Sequence, residues 1–120
     1  MDSKTPINID VKQVSVELRI RPEIYLKIMI SFVNSLSGKL NILSDALSAN
    51  DRDQMRMTLH EIKGTAGNLR LKNLAAVESM MHDAVKAGEP QSRLSQHLEV
   101  LRQESEKLQQ YVNTLVKRDG

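Results

Sequence analysis

Apolar residues recur three and four positions apart along most of this chain, which is the spacing of amphipathic α-helices. The longest run follows Pro22, a residue suited to the first turn of a helix. Its apolar positions are Ile28, Phe32, Leu36, Leu40, Leu43 and Leu47. They stay in phase through Gly38, so the pattern predicts one long helix over residues 22–49.

The same spacing predicts two helices in the middle of the chain. A helix over 51–69 would be capped by Asn50 or Asp51. A short turn near Arg70 then leads into a helix over 72–87. The apolar stripes of the two segments are Met55, Leu59, Ile62, Ala66 and Leu69, then Leu74, Val77, Met81 and Ala84.

The last predicted helix, over 91–117, comes after the stop signals Gly88 and Pro90. Its apolar residues follow a heptad pattern in which Ser105 fills one seam position. They are Leu94, Leu98, Leu101, Leu108, Val112 and Leu115. A seam of this kind could drive a coiled-coil dimer, but the other amphipathic helices can cover it within one chain, so we expect a monomer.

The first segment of the chain fits two structures. Apolar residues alternate over 14–20 as in a strand, whereas the spacing of Val14 and Leu18 also fits a short helix opened by Asp10. We predict the helix, over residues 10–18, because the chain offers no second strand for pairing. The expected fold is all-α: an antiparallel up-and-down four-helix bundle with an additional short N-terminal helix, forming a single domain over 1–120.

Composition narrows the classes of function. The chain has 120 residues and no cysteine, so a disulfide framework or a thiolate metal site is excluded. Seventeen basic residues stand against 15 acidic ones and only three residues are aromatic, which argues against nucleic-acid binding. No apolar run approaches the roughly 20 residues that cross a bilayer, and the polar N-terminus lacks a signal-peptide core. We therefore expect a soluble, cytoplasmic protein that does not bind membranes.

The most unusual local feature is a pair of glycines inside the helix predicted over 51–69. Each of them, Gly64 and Gly67, costs about 1 kcal/mol relative to alanine at such a position. At 100° per residue, Gly67 lies about 20° and Gly64 about 40° from His60 around the helix. The helix therefore presents a bare surface around one exposed imidazole, where a phosphate or another protein's backbone can approach closely.

Two cations flank this histidine along the helix. Lys63 lies one turn after His60 and Arg56 one turn before it, so both side chains can reach an anion held on the imidazole. Neutral imidazole is the nucleophilic form of histidine. The three histidines, His60, His82 and His97, have no recognised zinc spacing, so no metal site is predicted.

The run from His60 to Leu69 resembles the motif of the histidine phosphotransfer (Hpt) domain family, in which His-x-x-Lys-Gly is followed by small residues and an Asn-Leu pair. The matching positions are His60, Lys63, Gly64, Ala66, Gly67, Asn68 and Leu69. A helical bundle of this size, with the histidine midway along its second long helix, is also similar to the family's fold.

The resemblance implies a phosphorelay intermediate of two-component signalling. His60 Nε2 would take a phosphoryl group from the phosphoaspartate of a response-regulator receiver domain and pass it to another receiver. Lys63 would stabilise the phosphoryl charge, while Gly64 and Gly67 would admit the active-site edge of the partner. The position of Arg56 one turn before His60 adds it as a further candidate for docking the partner. The receiver would supply Mg²⁺, and the chain itself would bind no cofactor. A hybrid sensor kinase is a further expected partner.

The sequence departs from the family pattern at two positions. Arg70 stands where many members have a glycine, which affects the turn between two helices. His82 is expected at the height of His60, where many members carry Glu or Gln, and Lys86 would add positive charge there. We regard His82 and Lys86 as candidates for a supporting role around the phosphorylated ring.

Two other classes of function compete with the phosphoryl carrier. An autonomous kinase is excluded, because the chain has no glycine-rich nucleotide loop and no room for an ATP-binding domain. We therefore do not expect an enzyme. The alternative is a non-catalytic helical adaptor or dimerisation module that binds a partner through the surface around His60, Gly64 and Gly67.

Overall fold

Five α-helices form almost all of the structure, a computed structural model that describes residues 9–119. They are α1 (Val11–Leu18), α2 (Pro22–Ser48), α3 (Arg52–Asn68), α4 (Lys72–Lys86) and α5 (Gln91–Asp119). Residues 9–119 contain no strand, so the all-α class is confirmed and the first segment is a helix. Each helix end lies within two residues of the end expected from apolar spacing.

Side-chain caps start two of the helices. The carboxylate of Asp10 accepts a hydrogen bond from the backbone N–H of Gln13 at 3.0 Å, at the start of α1. Of the two caps considered for α3, Asp51 makes the bond, accepting from the N–H of Gln54 at 3.1 Å. Pro22 is the first residue of α2, where its missing N–H leaves no hydrogen bond unmade.

Four helices end in the same way, with one residue in the left-handed backbone region. The φ angles are 60° at Arg19, 54° at Asn50, 62° at Arg70 and 76° at Gly88. After α3, the N–H of Leu71 bonds to the carbonyl of Ala66 at 2.8 Å, the pattern of a helix end that usually has glycine at its left-handed position. The turn thus takes a glycine-type conformation with Arg70 in it, which accounts for the glycine expected there in relatives.

The four long helices enclose the core. α2 packs on α3, α3 on α4, α4 on α5 and α5 on α2, while α1 lies against α2. The apolar stripe predicted for α2 is correct at Phe32, Leu36, Leu40 and Leu43 but wrong at Ile28, which is 42% exposed. Met29, its neighbour in the sequence, is fully buried instead.

The seam of α5 also differs from the expected one. Glu104 is buried, whereas Ser105, the predicted seam residue, is half-buried. Lys107 lies 3.6 Å from the Glu104 carboxylate and supplies an opposite charge one turn along. Leu115 is half-buried rather than buried.

A buried tyrosine fixes the end of α3. The hydroxyl of Tyr25, on α2, donates a 2.6 Å hydrogen bond to the carbonyl of Leu69. Burial, together with the negative charge that Tyr111 can carry, raises the pKa of Tyr25 to about 12, although Arg70 opposes the shift. The hydroxyl therefore stays protonated and ties α2 to the turn between α3 and α4.

Candidate functional site

His60 lies midway along α3 on its solvent-exposed face. Its sequence neighbour Leu59 is fully buried, as are Met55, Ile62 and Ala66, so the opposite face of the helix is anchored in the core. A packed helix holds the backbone of His60 in place while its ring stays accessible. This combination suits a side chain that must react with a group on another molecule.

The two glycines of α3 are exposed on the same face as His60. A Cβ atom added to Gly64 or to Gly67 would meet no atom within 4 Å beyond the adjacent residues and the backbone of its own helix. Packing inside the chain therefore does not require glycine at either position. The bare helix surface remains unexplained by the fold, which is the observation that most favours contact with a partner.

On one side of His60, α3 packs against α4, to which it is joined by residues 69–71. Lys63 is exposed, yet its charge acts on Glu78 and on His82, both of which belong to α4. His60 likewise acts on His82. The charges of Lys63 and His60 thus reach His82 where α3 packs against α4.

Glu78 is the unexpected member of this group, because its side chain is fully buried. Burial raises the pKa of Glu78 to about 7, against the opposing effects of the Lys63 charge and of a hydrogen bond from Ser79. Its carboxylate lies 3.6 Å from Nδ1 of His82, one turn further along α4. The carboxylate and the imidazole therefore form a close pair on α4, and the charge of His60 acts on the imidazole of that pair.

His82 itself is half-buried, with a fifth of its side chain exposed. Burial lowers the pKa of His82, and the positive charges of Lys86, Lys63 and His60 lower it further, while Asp83 opposes the shift. The ring is consequently neutral at pH 7 and carries a single N–H.

On the other side of His60, α3 faces α2. Glu61 forms a 3.0 Å ion pair with Lys39 of α2. Met57 precedes His60 by one turn and is 60% exposed, an apolar side chain with little cover. A partner that contacts His60 would also contact Met57, because residues three apart on a helix are neighbours.

The two remaining predicted site residues, Arg56 and Lys86, lie at the edge of the surface around His60. Arg56 is exposed and pairs with Asp53 on its own helix, so part of its charge is already compensated. Lys86 is exposed on α4, and its effect on the pKa of His82 places it near that ring. His97 lies on α5, where its Nε2 is 3.9 Å from a Glu89 oxygen.

Glu78 and Met57 were both missed in the sequence. Glu78 follows Leu74 by four residues and precedes Met81 by three, which is a core position in the apolar stripe of α4. The stripe predicted there used Val77, which is only half-buried. A charged residue at a core position was the signal, because glutamate is seldom fully buried unless it is paired.

A cavity of about 280 Å³ lies between α1, the turn after α3 and α5. Its lining includes Glu17, Arg70 and Glu104 but none of the predicted site residues. Among residues 9–119 there is no cluster of three His, Cys, Asp or Glu side chains that could hold a metal ion. Nor do the helices described include one with the length and apolar character of a membrane span.

Comparison with known proteins gives one match. The family model described as Hpt domain matches residues 27–115, which cover most of the chain and all of α3 and α4. No curated protein gives a significant match. The same is true of solved structures.

Proposed function

Because the chain belongs to the Hpt domain family, we propose that it is a phosphorelay intermediate that carries the phosphoryl group on His60. Membership of the family implies phosphotransfer in two-component signalling, in which Hpt domains are phosphoryl carriers rather than kinases, and interaction with receiver domains. His60 would accept the group from a receiver phosphoaspartate and pass it to the aspartate of another receiver.

The observation that carries this assignment is the exposed histidine on a helix face without side chains. Gly64 and Gly67 are exposed, and neither is needed for packing. Their absence of side chains leaves room for the edge of a receiver active site, and Met57 adds apolar contact area beside it. Arg56 would join this docking surface at its edge.

Lys63 is proposed to stabilise the phosphoryl group. In phosphoryl transfer, negative charge is spread over the equatorial oxygens and catalysis is largely electrostatic. An ammonium one turn from His60 is suitably placed for that role. Mg²⁺ would come from the receiver domain, since the proposed carrier chemistry requires no cofactor of its own.

The wider proposals follow from the same carrier role. The protein would act as a cytoplasmic monomer, with receiver domains and a hybrid sensor kinase as partners and no part in nucleic-acid or membrane binding. We also propose that α2 to α5 form an antiparallel up-and-down bundle with α1 beside it. Support comes from the links between these four helices, each only a few residues long, and from the packing of successive helices on one another.

Phosphoryl transfer from a receiver domain tests the assignment. Receivers from the same organism are phosphorylated with acetyl phosphate and incubated with the protein, which should acquire an acid-labile, base-stable phosphoryl group. His60→Gln should abolish the labelling. His97→Gln is the matched control, because it removes a histidine from α5, and it should leave the labelling unchanged.

Two results would contradict the assignment. Labelling that persists in His60→Gln would place the phosphoryl group elsewhere. Failure of every receiver to transfer to the wild type, combined with receiver binding that His60→Ala leaves intact, would favour the alternative of a non-catalytic adaptor or dimerisation module.

A further inference from the structure

The buried carboxylate of Glu78 has no role in the function as proposed so far. Its side chain is fully buried between Leu74 and Met81 in the apolar stripe of α4. Oxygen Oε2 has no hydrogen-bond partner among the described residues. A buried, incompletely paired carboxylate is costly, and an apolar side chain of similar size would stabilise the bundle better. A role at the neighbouring site would explain why a carboxylate occupies this position.

The unpaired oxygen lies beside a ring nitrogen. Oε2 is 3.6 Å from Nδ1 of His82, while Oε1 accepts a 3.5 Å hydrogen bond from the Ser79 hydroxyl. A contraction of about half an ångström would turn the contact with His82 into a hydrogen bond. The carboxylate can accept this bond only if the proton of the neutral ring is on Nδ1.

Several charges surround this pair. Lys63 reaches it from α3 and opposes the rise in the pKa of Glu78, whereas Asp83 adds to that rise from α4. Lys86 lies on the side of His82 away from Glu78 and helps to keep His82 neutral. The charge of His60, on α3, also acts on the His82 ring, although no hydrogen bond joins the two rings among the described residues.

We propose that Glu78 is a positioning residue that sets the protonation pattern of His60 through His82. The Glu78 carboxylate accepts the Nδ1–H of His82, which leaves Nε2 of His82 free to accept a hydrogen bond from Nδ1–H of His60. Nε2 of His60 then carries the lone pair that attacks phosphorus. Such a role rests on the proposed phosphoryl transfer at His60.

The same arrangement fits the charge changes during transfer. The bond from His60 Nε2 to phosphorus forms as the bond from phosphorus to the donor oxygen breaks, and the donor leaves with that electron pair. The His60 ring gains positive charge and keeps its proton on Nδ1. His82 shares this positive charge through the hydrogen bond. The Glu78 carboxylate then stabilises the charge on the two rings, as a buried carboxylate stabilises the histidine of a hydrolase triad.

Ring tautomers provide the first test, which needs no phosphorylation. At pH 8, above the pKa of about 7 of the Glu78 carboxyl, ¹⁵N NMR of the wild type should show both His60 and His82 protonated on Nδ1. In Glu78→Met the acceptor is lost, and His82 should move toward the Nε2–H tautomer, with a matching change at His60. In Glu78→Gln the amide oxygen still accepts, so the shift should be smaller. A wild-type His82 protonated on Nε2 overturns the positioning role.

The rate of phosphorylation by phosphoramidate, a small donor that needs no receiver, provides the second test. The rate at His60 should fall by about tenfold or more in Glu78→Met and by less in Glu78→Gln. In a His82→Gln background, Glu78→Met should cause no further loss, because Glu78 acts through His82. Glu104→Gln, at the buried carboxylate of α5, is the matched control and should leave the rate unchanged.

The possible outcomes distinguish a failure of the positioning role of Glu78 from a failure of the carrier function at His60. Wild-type rates in Glu78→Met, or a further loss in the His82→Gln background, overturn the positioning role while leaving the carrier intact. If phosphoramidate labels His60 but no receiver does, the proposed carrier function fails, and the tautomer measurement still decides the role of Glu78.

Discussion

The two faces of α3 differ in what their residues contribute to the stability of the helix. The buried face consists of Met55, Leu59, Ile62 and Ala66, all fully buried. The exposed face around His60 has two glycines, which lower helix stability by about 1 kcal/mol each relative to alanine. One face therefore maximises the stability of the helix, and the other gives up stability where a partner would approach.

The boundary between these faces lies where α3 meets α4. Lys63 is exposed at that edge, and Glu78, on α4, is buried behind it. Here a charged side chain next to the site, that of Glu78, lies within the apolar core. If the faces are separate in function, a change on one should alter stability without altering transfer, and a change at the boundary should alter both.

Leu59→Ala should give the largest effect. Leu59 is fully buried and adjacent to His60 in the sequence, yet it belongs to the core face. Truncation of a buried leucine costs about 2–5 kcal/mol of the free energy of unfolding. Urea denaturation should show that loss. The rate of His60 phosphorylation per folded molecule should stay near the wild-type value, and a large fall in that rate would show that the two faces are not independent.

Glu78→Gln should raise stability, but only above acidic pH. The pKa of Glu78 rises from 4.5 in the unfolded chain to about 7 in the folded one, so the folded state binds the proton more tightly. Wild-type stability should therefore fall as pH rises from 4.5 to 7, by up to about 3 kcal/mol. The glutamine variant lacks this loss, so it should be the more stable protein at pH 8, with the difference shrinking toward pH 4.5.

Urea denaturation at pH 5 and pH 8 measures that difference. Glu99→Gln, on the exposed side of α5, controls for the loss of one negative charge and should show almost no dependence on pH. If Glu78→Gln is less stable than the wild type at pH 8, then Lys63 and His82 compensate the buried carboxylate more than burial penalises it. Greater stability with slower transfer would be the pattern expected when a residue is kept for function.

The sequence predicts the buried face of α3 far better than the boundary where α3 meets α4. The spacing of Leu59, Ile62 and Ala66 in α3 fixes both the helix and its buried side, because the period of the apolar residues matches that of the helix. The same rule fails at Ile28, where adjacent Met29 fits the core equally well and only the packing of neighbouring helices decides between them.

The site was predictable only in its local part. His60, Lys63, Gly64 and Gly67 share one helix, so their angular positions follow from the sequence. Glu78 lies on another helix, and its burial and its 3.6 Å contact with His82 depend on how α4 packs on α3. The turn at Arg70 lies between these cases. The sequence indicated an altered turn where Arg70 replaces a glycine, whereas the structure keeps a left-handed φ of 62°, which is typical of glycine.

Gly64→Ala and Gly67→Ala should give the smallest change in stability, and it should be favourable. An added Cβ meets nothing within 4 Å at either position, so each substitution should stabilise the protein by up to about 1 kcal/mol. Gly38→Ala, in α2, also has open space around an added Cβ and should give a similar gain. This control measures how much a glycine-to-alanine substitution alone raises the free energy of unfolding at an exposed helix position of the same bundle.

Transfer should respond in the opposite direction, because a methyl group on the exposed face of α3 displaces the receiver. Phosphoryl transfer from a receiver should slow in both variants, and more so in Gly64→Leu, whereas labelling by phosphoramidate should hardly change, since that donor is small. Slower labelling by both donors would instead mean that the side chains disturb His60 itself. Unchanged transfer in Gly64→Leu would show that the receiver does not bind this face of α3. The two glycines would then have no function in docking.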